Sequence, residues 1–305
     1  MKTILFTLAL GLSAVTLPVL ATQYAGATMA SEQCNAMACE KIESAHNDPH
    51  ATGTQTPPAA TPSTSGAADV PTISTSRPTF TDTATTVPKG SYQVESGATY
   101  THNRDDSRSW TVPEMVHRVG LLHNTELRVT APNYINMHAA DGRTLVNNVG
   151  DMSVGLSQHF ALPGNVDVAV MPMVNIPTGA HHVSSNAVDP QVRVVLGKSV
   201  TPTLSLGGQL DIRGFTAAHA ATDVIVNPTL VGFYSWTSQF TSFVEYAAFL
   251  PTTGKASQYL QTGLLLVATT RQQVDVRVAA GLNHATPNVL VGFGYAFRFD
   301  GLFGQ

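Results

Sequence analysis

The chain has 305 residues, with 16 basic and 20 acidic side chains and a formal net charge of −4. This balance lacks the basic excess that binding to a polyanion requires, so it argues against nucleic acid as a partner. Only two cysteines are present, Cys34 and Cys39. In an oxidising compartment they permit a small disulfide loop, and two free thiols are the alternative.

The N-terminus has the pattern of a secretory signal. Lys2 precedes an apolar run from Ile4 to Leu20, and small residues follow at Ala21 and again near Ala27. A cationic start, an apolar core and small residues at the end are typical of a cleaved signal peptide. We therefore expect residues 1–21 to be a signal peptide, with an alternative cleavage position near residue 27.

The next segment, residues 22–76, differs in composition from the rest of the chain. From residue 44 onward it consists mainly of Thr, Pro, Ala, Ser and Gly. Such a segment buries too little apolar surface to offset its chain entropy, which predicts disorder. The folded part is expected at residues 77–299, with residues 300–305 as a C-terminal tail.

Between residues 77 and 299 one sequence pattern repeats in segment after segment, with apolar residues at every second position. From Val289 to Phe299 one set of alternating positions is wholly apolar, whereas the other holds small residues and Arg298. The segments around Val276, Ala98 and Leu206 repeat this pattern, and weaker versions occur elsewhere. A period of two predicts β-strands, here about twelve in a single all-β domain.

Loop lengths separate a soluble sandwich from a membrane barrel, because both share the period of two. Short connections such as His123-Asn124 alternate in strict turn with long ones such as residues 133–144. Aromatic residues, for example Trp110 and Trp236, lie near the predicted strand ends. Both features are typical of transmembrane barrels. We therefore predict an antiparallel up-and-down β-barrel in the outer membrane of a Gram-negative-type bacterium, with a periplasmic N-terminal segment.

If the apolar face meets lipid, the other face lines the lumen. The candidate residues for a lumen or solute path are charged side chains of nearly balanced sign: Glu95, Arg118, Glu126, Arg128, Asp151, Asp167, Arg193, Asp211, Arg213, Glu245, Asp275, Arg277 and Arg298. A charge facing hydrocarbon costs several kcal/mol, so inward placement needs no function to explain it. Two interpretations stay open, namely a salt-bridged network that fills the barrel and a water-filled path that selects solutes.

Candidate reactive groups occur in the predicted outer loops. Six histidines lie there, without the fixed spacing that a metal site requires. His182-Val183-Ser184 resembles the His-x-Ser arrangement of outer-membrane phospholipases, which also have a twelve-stranded barrel, but a base and a nucleophile need a fixed scaffold. We expect no enzyme activity, no cofactor and no metal, and keep lipid hydrolysis at Ser184 as a minor alternative.

Short motifs spread over the folded part resemble one family of outer-membrane proteins. They include Arg77-Pro78, Phe80-Thr81-Asp82, Val87-Pro88, Phe243-Val244-Glu245-Tyr246 and the closing segment 292–299. In order and spacing they are similar to the family called "putative MetA-pathway of phenol degradation". This resemblance implies an outer-membrane channel or transporter for small solutes, including hydrophobic or aromatic compounds.

The sequence thus predicts a passive channel whose partners are outer-membrane lipid, a small-molecule solute and, during biogenesis, the barrel-assembly machinery. The main alternative is a non-conducting barrel that anchors or displays loops, with residues 44–76 tethering a periplasmic peptide.

Overall fold

A computed structural model describes residues 71–181, 183–216 and 222–302. Its regular structure is entirely strand: β1 Tyr92–His102, β2 Arg108–Leu122, β3 Thr125–Thr130, β4 Tyr134–His138, β5 Thr144–Val149, β6 Met152–Leu162, β7 Val166–Ile176, β8 Asp189–Ser199, β9 Leu204–Thr216, β10 Thr222–Ser235, β11 Phe240–Pro251, β12 Ser257–Thr269, β13 Gln272–Gly281 and β14 Val289–Phe299. Within these ranges no helix is long and apolar enough to cross a membrane.

The strands form one closed antiparallel barrel, because β1 pairs with both β14 and β2. β3 and β4 both pair with β2, one with its second half and the other with its first half. They therefore act as one interrupted strand of the wall. β5 pairs with β4 and β6 pairs with β3, so β5 and β6 form the next interrupted strand. With these two pairs each counted once, the fourteen strands make a twelve-stranded barrel, as the sequence predicts.

The two rims of the barrel differ in the length of their connections. Short turns join β2 to β3, β6 to β7 and β12 to β13, whereas residues 103–107, 177–188 and 282–288 form longer loops at the opposite rim. The barrel begins at Tyr92 and ends at Phe299 on the short-turn rim. In transmembrane barrels this rim faces the periplasm.

The alternation in sequence becomes an apolar outer face and a polar inner face. In β14 the outward side chains of Val291, Phe293 and Tyr295 are 48%, 57% and 42% exposed, whereas Gly294 and Arg298 are buried. This arrangement is the reverse of a soluble protein, and it places apolar side chains where lipid tails surround the wall. The inner face is thereby left to the polar side chains.

The structure differs from the sequence prediction at residues 133–144, expected to be a long loop. They contain β4, which pairs with β5 as a hairpin that continues the wall. Ile135, Met137 and Val146 are buried inside this hairpin, whereas Asn136 and Asn147 lie on its outer side and bond to each other. The polarity is opposite to that of the lipid-facing strands, which is why the segment did not match the barrel pattern.

A second difference concerns the start of the folded part, expected at Arg77. The described chain begins at Pro71, and Ile73, Thr75 and Ser76 are buried. The predicted signal peptide, both cysteines and the rest of the low-complexity segment up to residue 70 lie outside the described residues, as do residues 303–305.

Candidate functional site: the barrel lumen

The barrel lumen contains part of the protein's own chain. Residues 71–91, which we call the lumen segment, precede β1 and are largely buried. Backbone hydrogen bonds attach the segment to the short-turn rim at both ends, from Ile73 N to Thr270 O (2.8 Å) and from Gly90 N to Gly120 O (2.8 Å). Between these two points the segment rises into the lumen and returns.

Arg77, on the rising arm, is fixed in a slot formed by two glycines. Gly97 of β1 and Gly294 of β14 are paired directly across the two strands. A Cβ atom on either glycine would lie about 2.3 Å or 2.2 Å, respectively, from guanidinium atoms of Arg77. Only glycine at both positions leaves room for this side chain.

The guanidinium of Arg77 is also matched in charge. It donates to Glu114 Oε2 at 2.9 Å and to the carbonyl of Phe293 at 3.1 Å, and it lies 3.6 Å from Asp275 Oδ1. All three charged side chains are almost fully buried. The slot therefore holds Arg77 by shape and by charge together.

The tip of the lumen segment is formed by Phe80, Thr81 and Asp82. The Phe80 ring packs against Phe249 and Tyr259, with ring centroids 5.7 and 5.3 Å apart. The backbone N–H groups of Phe80 and Thr81 both donate to the carboxylate of Glu245, at 2.7 and 2.6 Å. A wall carboxylate thus satisfies two backbone donors that would otherwise be buried without partners.

Asp82 accepts from two arginines on different parts of the wall. Arg128 Nη2 donates to Oδ1 at 2.8 Å, and Arg193 Nη1 contacts Oδ2. The backbone N–H of Asp82 donates to Gln209 Oε1 at 2.8 Å. A cavity of about 10 Å³, the space of one water molecule, lies beside the two guanidinium groups.

Arg118 joins the two arms of the lumen segment to the wall. Its guanidinium donates to Glu95 Oε1 and Glu126 Oε1, at 3.0 and 2.9 Å. It also donates to the carbonyls of Ser74 on the rising arm and Thr85 on the returning arm. The segment is therefore bound at several heights, mainly through wall side chains.

Eleven of the thirteen predicted lumen residues are buried on the inner wall: Glu95, Arg118, Glu126, Arg128, Arg193, Asp211, Arg213, Glu245, Asp275, Arg277 and Arg298. Asp151 and Asp167 are only half-buried. Asp151 lies at the long-loop rim, where it accepts hydrogen bonds from Gly179 N and Ser185 N (2.9 Å each). Asp167 contacts His159 Nε2 at 2.7 Å near the short-turn rim.

Sequence reasoning missed three charged residues of the lumen. Glu114 lies in β2 two positions from Val116 and four from Arg118, all buried, so counting back by twos from Arg118 would have found it. The exposed pair Val112 and Pro113 interrupts the alternation just before it. Arg77 and Asp82 belong to the motifs of the family resemblance, but the sequence predicts them as part of the barrel domain and not of its interior.

The candidate hydrolase pair in the 177–188 loop gains no defined geometry. Ser184 Oγ accepts from the backbone N–H of Asn186 at 3.0 Å, and the side chain is 4% exposed. His182 lies outside the described residues. Of the loop histidines that the structure describes, His138 contacts Asn136 Oδ1 and His102 lies 3.3 Å from Asp106. Within the described ranges no group of three potential metal ligands occurs.

The fold and the charged side chains inside the barrel define the class of protein. It is a twelve-stranded β-barrel of the outer-membrane type, with a polar lumen that contains a segment of its own chain. Residues 75–299 match the model of the family described as "putative MetA-pathway of phenol degradation", and the chain belongs to this family. A search of curated protein sequences finds no match.

Solved structures with a similar fold are outer-membrane channels and porins. The COG4313 outer membrane channel from Pseudomonas putida F1 has a TM-score of 0.55 and 12% identity, covering 71% of this chain and 98% of that one. The NanC porin follows with a TM-score of 0.49 and 12% identity, covering 68% and 98%. At 12% identity the likeness to the COG4313 channel shows the fold.

Proposed function

We propose that the protein is an outer-membrane channel for small solutes, and that the lumen segment closes it in the described conformation. The observation that carries this proposal is how the segment is held. Wall side chains, including Glu95, Glu245 and Gln209, bind its backbone, and backbone pairing attaches it near its two ends. A segment bound in this way can leave the lumen without breaking any strand pair of the barrel.

The inner wall supports passage once the segment leaves. Barrels of intermediate strand number lie between fully packed interiors and wide aqueous pores. Removal of the segment would expose a wall of mixed charges, of which Arg118, Glu126 and Arg277 are examples. Rings of charged side chains of this kind set which solutes pass through a pore.

An apolar patch inside the lumen supports solutes with an apolar or aromatic part. Its residues are those that surround Phe80: Ile225, Ala247, Phe249, Tyr259, Ala279 and Leu290. Arg277 lies 5.8 Å from the Phe80 ring centroid, as in a cation–π contact. When Phe80 withdraws, this patch can receive a ring or alkyl group of the solute.

A disulfide lock tests the channel proposal. Thr81 Oγ1 of the segment tip lies 2.6 Å from Thr229 Oγ1 of β10. We expect Thr81→Cys with Thr229→Cys, in a background with Cys34 and Cys39 replaced by Ser, to form a disulfide that prevents conduction in planar bilayers. Reduction should restore the conductance, and Thr81→Cys alone should conduct under both conditions.

The same experiment separates the channel from the second candidate, a non-conducting barrel that anchors its loops and N-terminal segment. That candidate is favoured by the filled lumen, in which buried carboxylates and guanidinium groups are paired across segment and wall, as for Arg77 with Glu114. If correctly folded protein conducts at no applied voltage, reduced or oxidised, the channel proposal is wrong and the anchoring role stands.

A further inference from the structure

Two guanidinium groups of the wall hold the Asp82 side chain at the tip of the lumen segment. Arg128 on β3 and Arg193 on β8 reach the same carboxylate from two sides, one on each oxygen. No glycine slot shapes this contact; both partners are long side chains that extend from the wall into the lumen. The geometry is that of a receptor for a carboxylate, occupied by one that the chain itself supplies.

Wall acids hold the two arginines in place independently of Asp82. Glu126 Oε1 lies 3.8 Å from Arg128 Nε, and Asp211 Oδ1 lies 3.6 Å from Arg193 Nε. These separations are longer than hydrogen bonds. The acids therefore keep both cations in position without replacing the two direct contacts that Asp82 makes.

The cavity beside the two arginines lies toward the long-loop rim. Thr130 and Gln191, which line it, are each two positions further toward the long-loop rim than Arg128 and Arg193 on the same strands. Ser153 and Met173 are at the same height, since Ser153 pairs with Thr130 and Met173 with Gln191. A solute from the long-loop side would meet Thr130, Ser153 and Gln191 first and the two cations next.

We propose that Arg128 and Arg193 form the binding site for the carboxylate of a small organic acid, and that Asp82 occupies it as a tethered competitor in the closed state. The proposal deepens the channel function and rests on it for its biological meaning. Binding of the acid displaces Asp82 and so weakens the hold on the segment tip. A monoanion fits better than a dianion such as phosphate, because Glu126 and Asp211 lie close behind the two arginines.

Chemical rescue tests the site on the full mature protein folded in detergent. Asp82→Ala leaves the two arginines without their carboxylate and leaves room for a free one. We expect this variant to lose its folded electrophoretic form at a lower temperature than wild type in sodium chloride. Sodium acetate at the same ionic strength should raise that temperature toward the wild-type value, and should change wild type little.

Two control variants define the site. Asp82→Leu fills the space without offering it to acetate, so acetate should act no differently from chloride. Asp82→Ala combined with Arg193→Gln removes one cation and should abolish the rescue. If acetate stabilises these variants as much as Asp82→Ala, the effect is unspecific and the proposal is overturned.

A second measurement covers the case in which Asp82→Ala does not fold. Asp82→Asn keeps the shape of the side chain and removes its charge, so acetate should bind with a dissociation constant about tenfold lower than in wild type, as judged by calorimetry. Equal affinities in the two proteins would overturn the proposal. Neither measurement depends on conduction, so a silent bilayer recording would contradict the channel function while leaving this site in place.

Discussion

The two charged anchors of the lumen segment, Arg77 and Asp82, differ in what holds them. Arg77 lies in a slot that exists only because residues 97 and 294 are glycines, since a Cβ atom on either would clash with its guanidinium group. Asp82 is held by two arginine side chains without such a steric frame. Shape and charge together hold the Arg77 side chain, whereas the Asp82 side chain is held by charge and can exchange with a free anion.

From this difference we expect the tip of the segment, Phe80 to Asp82, to detach from the wall before Arg77 does. The rising arm is attached to the short-turn rim through Ile73 and to the middle of the wall through Arg77. The tip depends on the Phe80 ring, on Glu245 and on the two arginines. Displacement of the tip would widen the lumen while Arg77 keeps the segment attached.

The largest expected effect comes from removing the Arg77 charge. Arg77→Met leaves Glu114 and Asp275 buried with Arg277 as the remaining nearby cation, 3.9 Å from Glu114. Breaking a buried ion pair costs about 4 kcal/mol, so the equilibrium should shift toward a released segment. Proteinase K digestion of detergent-folded protein would show this as faster cleavage within residues 73–88.

The matched control for this change is Arg143→Met. Arg143 pairs with Asp141 in an outer loop, and both side chains are exposed. Exposed pairs contribute little to stability, so protection of the segment should equal that of wild type. Equal protection in Arg77→Met as well would mean that the Arg77 charge does not hold the segment in the lumen.

The next effect concerns the tip. Phe80→Ala removes the ring from between Phe249 and Tyr259 and leaves a cavity in a buried apolar cluster. Loss of a buried phenyl ring costs about 3 kcal/mol. Single-channel recording should show longer open times in this variant, with Phe80→Leu close to wild type. Unchanged open times in Phe80→Ala would show that the tip does not control opening.

A smaller effect should follow from filling the glycine slot. In Gly294→Ala the new Cβ atom would lie about 2.2 Å from Arg77 Nε, whereas in Gly208→Ala the nearest atom would be 3.6 Å away. Overpacking of this kind costs about 2 kcal/mol. Gly294→Ala should increase the proteinase K cleavage of the segment, and Gly208→Ala should not. If the two variants behave alike, shape does not contribute to the first anchor.

The smallest effect concerns the rim where the segment joins the wall. Burial alone would raise the pKa of Asp300, but hydrogen bonds from Arg271, Arg298 and Ser91 lower it below the usual range. A depressed folded-state pKa stabilises the protein above the unfolded-state pKa, and this stabilisation is lost as the pH falls through the folded-state value. The stability difference between wild type and Asp300→Asn should therefore shrink from neutral pH toward acid pH, measured by urea unfolding. A constant difference would contradict this role for Asp300.

Much of the barrel could be predicted from the sequence alone. A period of two separates the side chains of a strand into two faces, and a charge on the lipid face is costly. These two facts place residues such as Glu245 and Arg277 opposite the apolar set without any knowledge of the fold. Loop lengths then distinguish the rims. The sequence does not predict the hairpin formed by β4 and β5, because its apolar side turns inward instead of outward.

Only the tertiary structure decided what fills the lumen. The bonds from Phe80 to Glu245 and from Arg193 to Asp82 join residues 165 and 111 positions apart. Periodicity assigns a side chain to a face but does not give its height or the strand it faces across the barrel, because those depend on closure and register. The sequence therefore determined a membrane barrel with a charged interior. Closure and register, which bring distant strands around one lumen, decided that residues 71–91 occupy that interior.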